Sequence, residues 1–318
     1  DSAHPSLKIE LENKGFTCDE DFISSKENIE KKISQYNGII LRSRFNIDKQ
    51  FIDRFTPSPL ERAGVRRFIA RVGAGMEHID TVYAESKGIK CISSPEGNRI
   101  AVAEHGLGML LSLLNNISKA NAEVRSGKWL REANRGTELE GKTIGIYGYG
   151  STGSAFAKVL TGFGVKVLAY DKYKKSFGNE HVKESTPEEI FSSADVLSLH
   201  LPLNEELAFL VNDQFINKFR KNIYLINTSR GPIVKTEDLV KNLKSGKILG
   251  ACLDVLEYEE SSFEQMQRKA GTPQPEALQY LLNSSKVILT PHIAGWSFES
   301  SEKMAKILAE KIISLSQG

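Results

Sequence analysis

Short apolar runs and longer amphipathic stretches alternate along most of the 318 residues. The segments "YNGIILRS" (36–43), "RRFIARVGAG" (66–75) and "GIKCISSP" (88–95) each hold a brief apolar core bounded by glycine, proline or charge. Runs of that length predict buried strands. Helical patterns lie between them, and that alternation argues for a parallel sheet with helices on its faces. At the start, "DSAHPSLKIELENKG" predicts a turn at Ser2–Pro5, a helix to Lys14 and a stop at Gly15. A strand ahead of Asp1, outside this numbering, is expected to precede that helix.

From Ile100 to Asn116 the apolar positions recur at helical spacing over most of the circumference, so this helix is expected to be buried or to form an interface. A further helix ends at "RSGKW", and "RGTELEGKT" connects to a new strand, "TIGIYGYG". The runs "KVLAYD", "DVLSLHLP", "IYLINTS", "ILGACLDV" and "KVILTPH" follow, spaced by helices such as "STGSAFAKVLTGFG" and "KTEDLVKNLKSG". This predicts a second, longer doubly wound α/β domain. The last segment, "SSEKMAKILAEKIISLSQG", reads as an amphipathic helix.

Composition narrows the partners. The net charge of +2 gives no general attraction for nucleic acid or for a membrane surface. No apolar run is long enough to cross a bilayer, and no signal peptide is visible. Cys18, Cys91 and Cys252 are too few and too scattered for a disulfide framework or a zinc site. No metal is therefore expected, and a reducing, cytoplasmic setting fits.

Candidate chemistry begins at Gly148-x-Gly150-x-x-Gly153, which follows a strand and opens a helix. Gly148 permits the tight turn, Gly150 lets the backbone approach a pyrophosphate, and Gly153 allows close helix–strand packing. The helix N-terminus offers N–H donors to phosphates. Asp171 ends the next strand, where a carboxylate takes the ribose hydroxyls of NAD and repels the extra phosphate of NADP.

Three charged groups then fall at successive strand ends. Arg230 follows "INTS" and is turned by Gly231 and Pro232, so its guanidinium can grip a carboxylate in two-pronged fashion. In "ACLDVLEYEE", Asp254 is followed by Glu257, Glu259 and Glu260, and the residues leave open which acid turns inward to hold a histidine. His292 follows Pro291 directly.

"RVGAGMEHID", "AVAEHGLGMLLSLL", "GKTIGIYGYGSTG", "NTSRGPIV", "GACLDV" and "TPHIAGW" together resemble the D-isomer-specific 2-hydroxyacid dehydrogenase family over nearly the whole chain. Within it, "ILRS", "ARVGAG" and "GKWLREANRGTELEGKTIGIYGYG" are most similar to the D-3-phosphoglycerate dehydrogenase branch. The resemblance implies a Rossmann NAD-binding domain, residues 99–296, inserted into a smaller flavodoxin-like substrate domain made of 1–98 and 297–318. It implies hydride exchange between nicotinamide and C2 of a small 2-hydroxy or 2-oxo acid, with closure around the substrate excluding water.

The family's catalytic arginine, glutamate and histidine match Arg230, Glu259 and His292. Its cofactor side matches Gly148, Gly150, Ser151, Thr152, Gly153, Asp171, His200, Pro202, Thr228 and Asp254. Its substrate side matches Arg42, Arg71, Val72, Gly73, Ala74, Gly75 and Arg131, with Arg135 nearby. The helical region 99–120 matches a homodimer contact.

The expected substrate is 3-phosphoglycerate or 3-phosphohydroxypyruvate, as in serine biosynthesis. A glyoxylate or hydroxypyruvate reductase is the alternative within the family. An NAD-sensing corepressor-like binding protein, of the C-terminal binding protein type, is the alternative of another class. Neither a regulatory domain after the last helix nor feedback by serine through one is expected. Two features depart from the family pattern. The stretch 260–283 is enlarged, and Trp296 stands where small residues are usual.

Overall fold

The computed structural model describes residues 2–56, 67–259 and 274–317. They divide between two compact units. One holds the described residues of Asp1–Arg99 and Trp296–Gly318, the other those of Ile100–Glu260 and the stretch to Gly295.

The smaller unit carries a parallel sheet of β1 (Gly38–Leu41), β2 (Phe68–Arg71) and β3 (Lys90–Ser93), in that spatial order. Successive side chains of β2 feed opposite faces, as the period of two requires. Ile69 joins Ile29, Phe51, Phe55 and Ile89 on one face. Ala70 joins Leu7, Leu11, Leu308 and Ile312 on the other. The second face is covered by helix Ser6–Glu12 and the long helix Phe298–Gln317, so both ends of the chain complete this unit. The long helix starts two residues earlier than its apolar pattern suggests. Ser297 and Ser300 cap it reciprocally, each backbone N–H donating to the other's hydroxyl at 2.9 and 3.0 Å. Strand β1 borders the sheet, and a groove of about 540 Å³ runs beside it, lined by Leu7, Phe16, Cys18, Ile33, Ile39 and Phe68 among others.

The larger unit carries seven parallel strands: β4 (Thr143–Tyr147), β5 (Lys166–Tyr170), β6 (Val182–Glu184), β7 (Val196–Leu199), β8 (Ile223–Asn227), β9 (Ile248–Leu253) and β10 (Val287–Leu289). Their order is β10-β9-β8-β7-β4-β5-β6. The chain runs outward from β4 in one direction and returns to start again at β7, so the strand order switches between these two. In such sheets the carboxyl ends of the strands on either side of the switch bound the ligand crevice. Two apolar clusters, one per face, hold the layers together, and Leu225 and Ile226 point into different ones.

Helix Pro95–Leu114 begins earlier than the apolar period predicts, with proline in its first turn. It ends at Asn115–Asn116, where Asn116 adopts a left-handed φ of 54° before helix Ile117–Arg125. No single helix among the described residues is long and apolar enough to cross a membrane. Of the enlarged stretch, residues 260–273 lie outside the described residues. Its later part is helix Glu276–Asn283, whose Ala277 and Leu281 are built into the core of the larger unit. That part is therefore load shared with the fold, not a surface insertion.

Candidate functional site

The glycine loop is shaped by three different constraints. Gly148 has φ 96°, and a Cβ there would come within 2.3 Å of the His200 carbonyl oxygen. A Cβ on Gly153 would meet the Gly148 carbonyl oxygen at 2.0 Å, so strand and helix touch through bare backbone. Around a Cβ on Gly150 there is open space. Helix Ser151–Val159 has no side-chain cap, and the N–H groups of Ser151, Thr152 and Gly153 meet no protein acceptor among the described residues. An uncapped helix N-terminus with an open approach at Gly150 is a cradle for phosphate oxygens.

Asp171 stands at the end of β5, next to this loop. Its carboxylate accepts from Tyr149 N at 2.8 Å, Tyr173 N at 2.9 Å and Lys174 N at 2.8 Å. Burial opposes its ionisation, but these three donors outweigh burial and hold the carboxyl below the usual range. Asp171 is thus ionised, and it ties the second strand to the glycine turn. A dinucleotide with a free 2′-hydroxyl suits a fixed carboxylate here; a 2′-phosphate does not. The site's donors, open space and anion all fit NAD.

His200 and Pro202 lie just past β7, Thr228 just past β8. His200 differs from its expected cofactor contact. The ring is buried, packs on Phe156 with centroids 5.3 Å apart, and bonds Ser198 Oγ at 2.9 Å through Nε2. Burial pulls its pKa down to about 3, so it is a neutral strut beneath the glycine turn. Pro202 is exposed, and the hydroxyl of Thr228 is buried with no partner among the described residues.

Asp254 calls for a correction of role. Its carboxylate was expected on the nicotinamide side, but it is 1% exposed and fully engaged within the protein. It accepts from Thr290 Oγ1 at 2.5 Å, Ile293 N at 2.9 Å and Ala294 N at 2.8 Å, and its carbonyl accepts from His292 N at 2.8 Å. His105 joins through Thr290 Oγ1 at 3.0 Å. The whole 290–294 turn is therefore wound around one buried carboxylate. Neither Thr290 nor His105 is marked by the sequence beyond its nearness to His292 or Glu104 in an otherwise apolar run.

That winding forces His292 into a left-handed φ of 55°, a conformation a β-carbon resists and that persists only where surroundings impose it. Its Nδ1 lies 2.8 Å from Glu259 Oε2, while Glu259 Oε1 accepts from the Leu256 amide. The acidic run is thereby resolved among described residues. Glu257 is spent on the amide of Thr236 at 2.8 Å, at the start of helix Thr236–Ser245. Glu260 lies outside the described residues. Arg230 sits in a turn latched by buried Asn227, which accepts from Ser229 N and Oγ at 3.1 and 2.8 Å and donates to Arg230 O at 3.0 Å. A Cβ on Gly231 would come within 1.9 Å of Leu256 O, so the Arg230 turn and the Glu259 loop lie against each other. Asn227 was also missed, since an asparagine ending a strand resembles any turn former.

In the smaller unit, two substrate-side expectations fail in their original form. Arg71 is buried, its Nε donates to Arg42 O at 2.9 Å, and its NH1 donates to Gly75 O. It pins the glycine loop rather than standing ready for an anion. Val72 is a core residue whose amide donates to Leu41 O at 2.9 Å. Gly73 has φ 153° with its carbonyl accepting from Ser94 N at 2.9 Å, and the amides of Ala74 and Gly75 meet no protein acceptor among the described residues. Arg42 is half-buried, its guanidinium 4.0 Å from the Trp296 ring centroid. Arg131 belongs to the larger unit and is exposed at the start of the short helical turn Glu132–Asn134.

Residues 107–294 match the model of the D-isomer specific 2-hydroxyacid dehydrogenase NAD-binding domain. The chain belongs to this family. The hydroxypyruvate reductase of Thermotoga maritima is 32% identical over 289 residues, covering 90% of this chain and 87% of that protein. The D-3-phosphoglycerate dehydrogenase of Archaeoglobus fulgidus is 31% identical over 296 residues, 92% of this chain. The chain spans only 52% of that relative's length. Among solved structures, D-2-hydroxyisocaproate dehydrogenase superposes with a TM-score of 0.79 at 26% identity, covering 98% of this chain and 94% of that one. The protein is thus an NAD-dependent 2-hydroxyacid dehydrogenase, and its relatives divide between phosphoglycerate and hydroxypyruvate or glyoxylate enzymes.

Proposed function

We propose that the enzyme interconverts 3-phosphoglycerate and 3-phosphohydroxypyruvate, as serine biosynthesis requires, with Arg230, Glu259 and His292 performing the chemistry. The observation that carries the chemical part is the His292–Glu259 contact at 2.8 Å on the strand-end side of a dinucleotide-binding sheet. With Nδ1 held by the carboxylate, Nε2 is the ring nitrogen that exchanges a proton with the substrate C2 oxygen. A nicotinamide dinucleotide held there would supply the hydride exchanged at C2. Arg230 binds the substrate carboxylate and polarises the adjacent carbonyl. Ser151–Gly153 and Asp171 hold the dinucleotide; Thr228, with its unpartnered hydroxyl, and Pro202 complete that side. In the smaller unit the amides of Ala74 and Gly75 are donors suited to a carboxylate, and Arg42 there and Arg131 in the larger unit are cations suited to a phosphate.

A hydroxypyruvate or glyoxylate reductase is the second reading. The burial of Arg71 favours it, because one cation expected for the phosphate is engaged with backbone carbonyls. We also place the enzyme in the cytoplasm, in keeping with three free thiols at Cys18, Cys91 and Cys252. A homodimer through the 99–120 region is supported by exposed Ile117 and, just beyond it, Val124.

One panel tests these points. NADH-coupled reduction of phosphohydroxypyruvate is expected to exceed that of hydroxypyruvate and glyoxylate in kcat/KM by at least about tenfold, the worth of one charged contact. Equal or reversed rates reject the phosphate reading. Light scattering on the same preparation is expected to give the mass of two chains, and a single-chain mass rejects the dimer.

A further inference from the structure

The turn that presents His292 hangs on a chain of side-chain hydrogen bonds that starts on another element. His105, on helix Pro95–Leu114, bonds Thr290 Oγ1 at 3.0 Å through Nε2, and Thr290 Oγ1 lies 2.5 Å from Asp254 Oδ1. All three residues, with His292, belong to the larger unit. The order of protons in this chain follows from counting donors. A threonine hydroxyl has one proton. The carboxylate oxygen at 2.5 Å is a nearer and stronger acceptor than Met109 Sδ at 3.7 Å, so that proton lies toward Asp254. The hydroxyl oxygen then accepts from His105, which fixes Nε2 as a protonated ring nitrogen.

What the chain orients is the carboxylate, and through it the turn. Asp254 Oδ1 also accepts from Ile293 N at 2.9 Å, and Oδ2 accepts from Ala294 N at 2.8 Å. These two amides follow His292 directly, so they move with the turn and cannot by themselves fix where it points. The fixed reference comes from elsewhere. Thr290 has its own amide bonded to Leu253 O at 3.1 Å, at the end of β9, and His105 stands on a separate helix. We propose that Thr290 and His105 are positioning residues that set the left-handed backbone of His292, and with it the direction of its imidazole, through the Asp254 carboxylate. This inference rests on the acid–base reading of His292 given above and adds to it the residues that hold the ring in place.

The test is steady-state kinetics with NADH and whichever 2-oxo acid of the panel above is reduced fastest, in the unmodified enzyme and in Thr290→Val, Thr290→Ser, His105→Leu and His105→Gln. Valine keeps the shape of threonine without the hydroxyl, and serine restores the hydroxyl. Glutamine at position 105 keeps an N–H donor that leucine lacks. Thr290→Val and His105→Leu are each expected to lower kcat about ten- to a hundred-fold, the cost of a small misplacement of a reacting group. KM and NADH affinity stay within about threefold. Thr290→Ser and His105→Gln recover most of the loss. Because the two residues act as one chain, Thr290→Val combined with His105→Leu loses no more than the worse of the two alone. Unchanged kcat in either single variant, an equal fall in NADH affinity, no recovery in the conservative variants, or losses that multiply in the double variant overturns the inference. If Thr290→Val does not fold, the two His105 variants decide alone, since that side chain is 24% exposed and its removal leaves no large cavity. His292→Gln separates the two readings. Retained turnover there rejects the acid–base role itself, whereas a loss there beside unchanged kcat in His105→Leu rejects only the positioning.

Discussion

At the scale of single residues, His292 combines three constraints that a sequence cannot display together: a positive φ, a backbone bonded to Asp254, and a ring nitrogen held by Glu259. The strain of a left-handed histidine, about 1 kcal/mol or more, is offset by the bonds its turn makes to one buried carboxylate. On the proposed role, replacing the imidazole removes the proton donor and leaves that frame standing. His292→Gln is therefore expected to lower kcat by about 10²–10⁴-fold, the usual worth of general acid–base catalysis, while NADH affinity measured by fluorescence titration stays within about twofold. Glu259→Gln keeps a hydrogen-bonding group beside Nδ1 but removes the charge, and a smaller loss, about tenfold or more, is expected in kcat. Unchanged turnover in His292→Gln would reject the acid–base assignment outright.

At the scale of elements, the βα alternation was readable because most strands are apolar runs four to six residues long, and the glycine loop because its context is as informative as its spacing. Strand β6 was missed: it has three residues, Val182–Glu184, of which only Val182 is buried, too little for any periodicity to show. Asp254 is legible as an acid at a strand end but its task is not, because its burial depends on residues 290–294 folding back over it, a long-range event that no local pattern encodes. The engagement of Arg71 is illegible for a similar reason, since it donates to carbonyls of Arg42 and Gly75 that its own neighbours do not reveal. The glycine loop separates fold from function in a way that can be measured. Gly148→Ala places a methyl against the His200 carbonyl and demands φ 96° of a residue that resists it, so a loss of about 2 kcal/mol or more in stability is expected. Gly150→Ala puts its methyl into open space at an ordinary negative φ, so thermal stability is expected to hold. If the loop holds the dinucleotide as proposed, NADH affinity in that variant is expected to fall at least about tenfold, because the methyl would occupy the approach of the phosphates. Intact NADH binding by Gly150→Ala would remove this loop from the cofactor site.

At the scale of the whole molecule, stability and pH are coupled through His200, which belongs to the larger unit and does no chemistry. Burial depresses its pKa from 6.5 to about 3, so the folded chain keeps the ring neutral over a range in which the unfolded chain protonates it. The sign follows from which state binds more protons. Above pH 6.5 neither state does, and the full stability is present. Below it the unfolded state takes up a proton that the folded state refuses, and stability is lost as pH falls toward about 3, at up to about 1.4 kcal/mol per pH unit. Carboxylates such as Asp171, held below their usual range, contribute in the same direction but at lower pH, and they are common to wild type and variant. A His200→Gln chain retains a polar group for Ser198 and carries no titrating ring. Because the chain divides into two compact units, unfolding of the larger one is best followed by hydrogen exchange of the amides of its buried strands, in both proteins. Between pH 6 and pH 4 the His200 protein is expected to lose about 2–3 kcal/mol more than His200→Gln, whatever their difference at pH 7.5. Stability curves that run parallel across that interval would mean that the ring either reaches solvent or is already protonated in the folded state, and the neutral strut beneath the glycine turn would have to be abandoned.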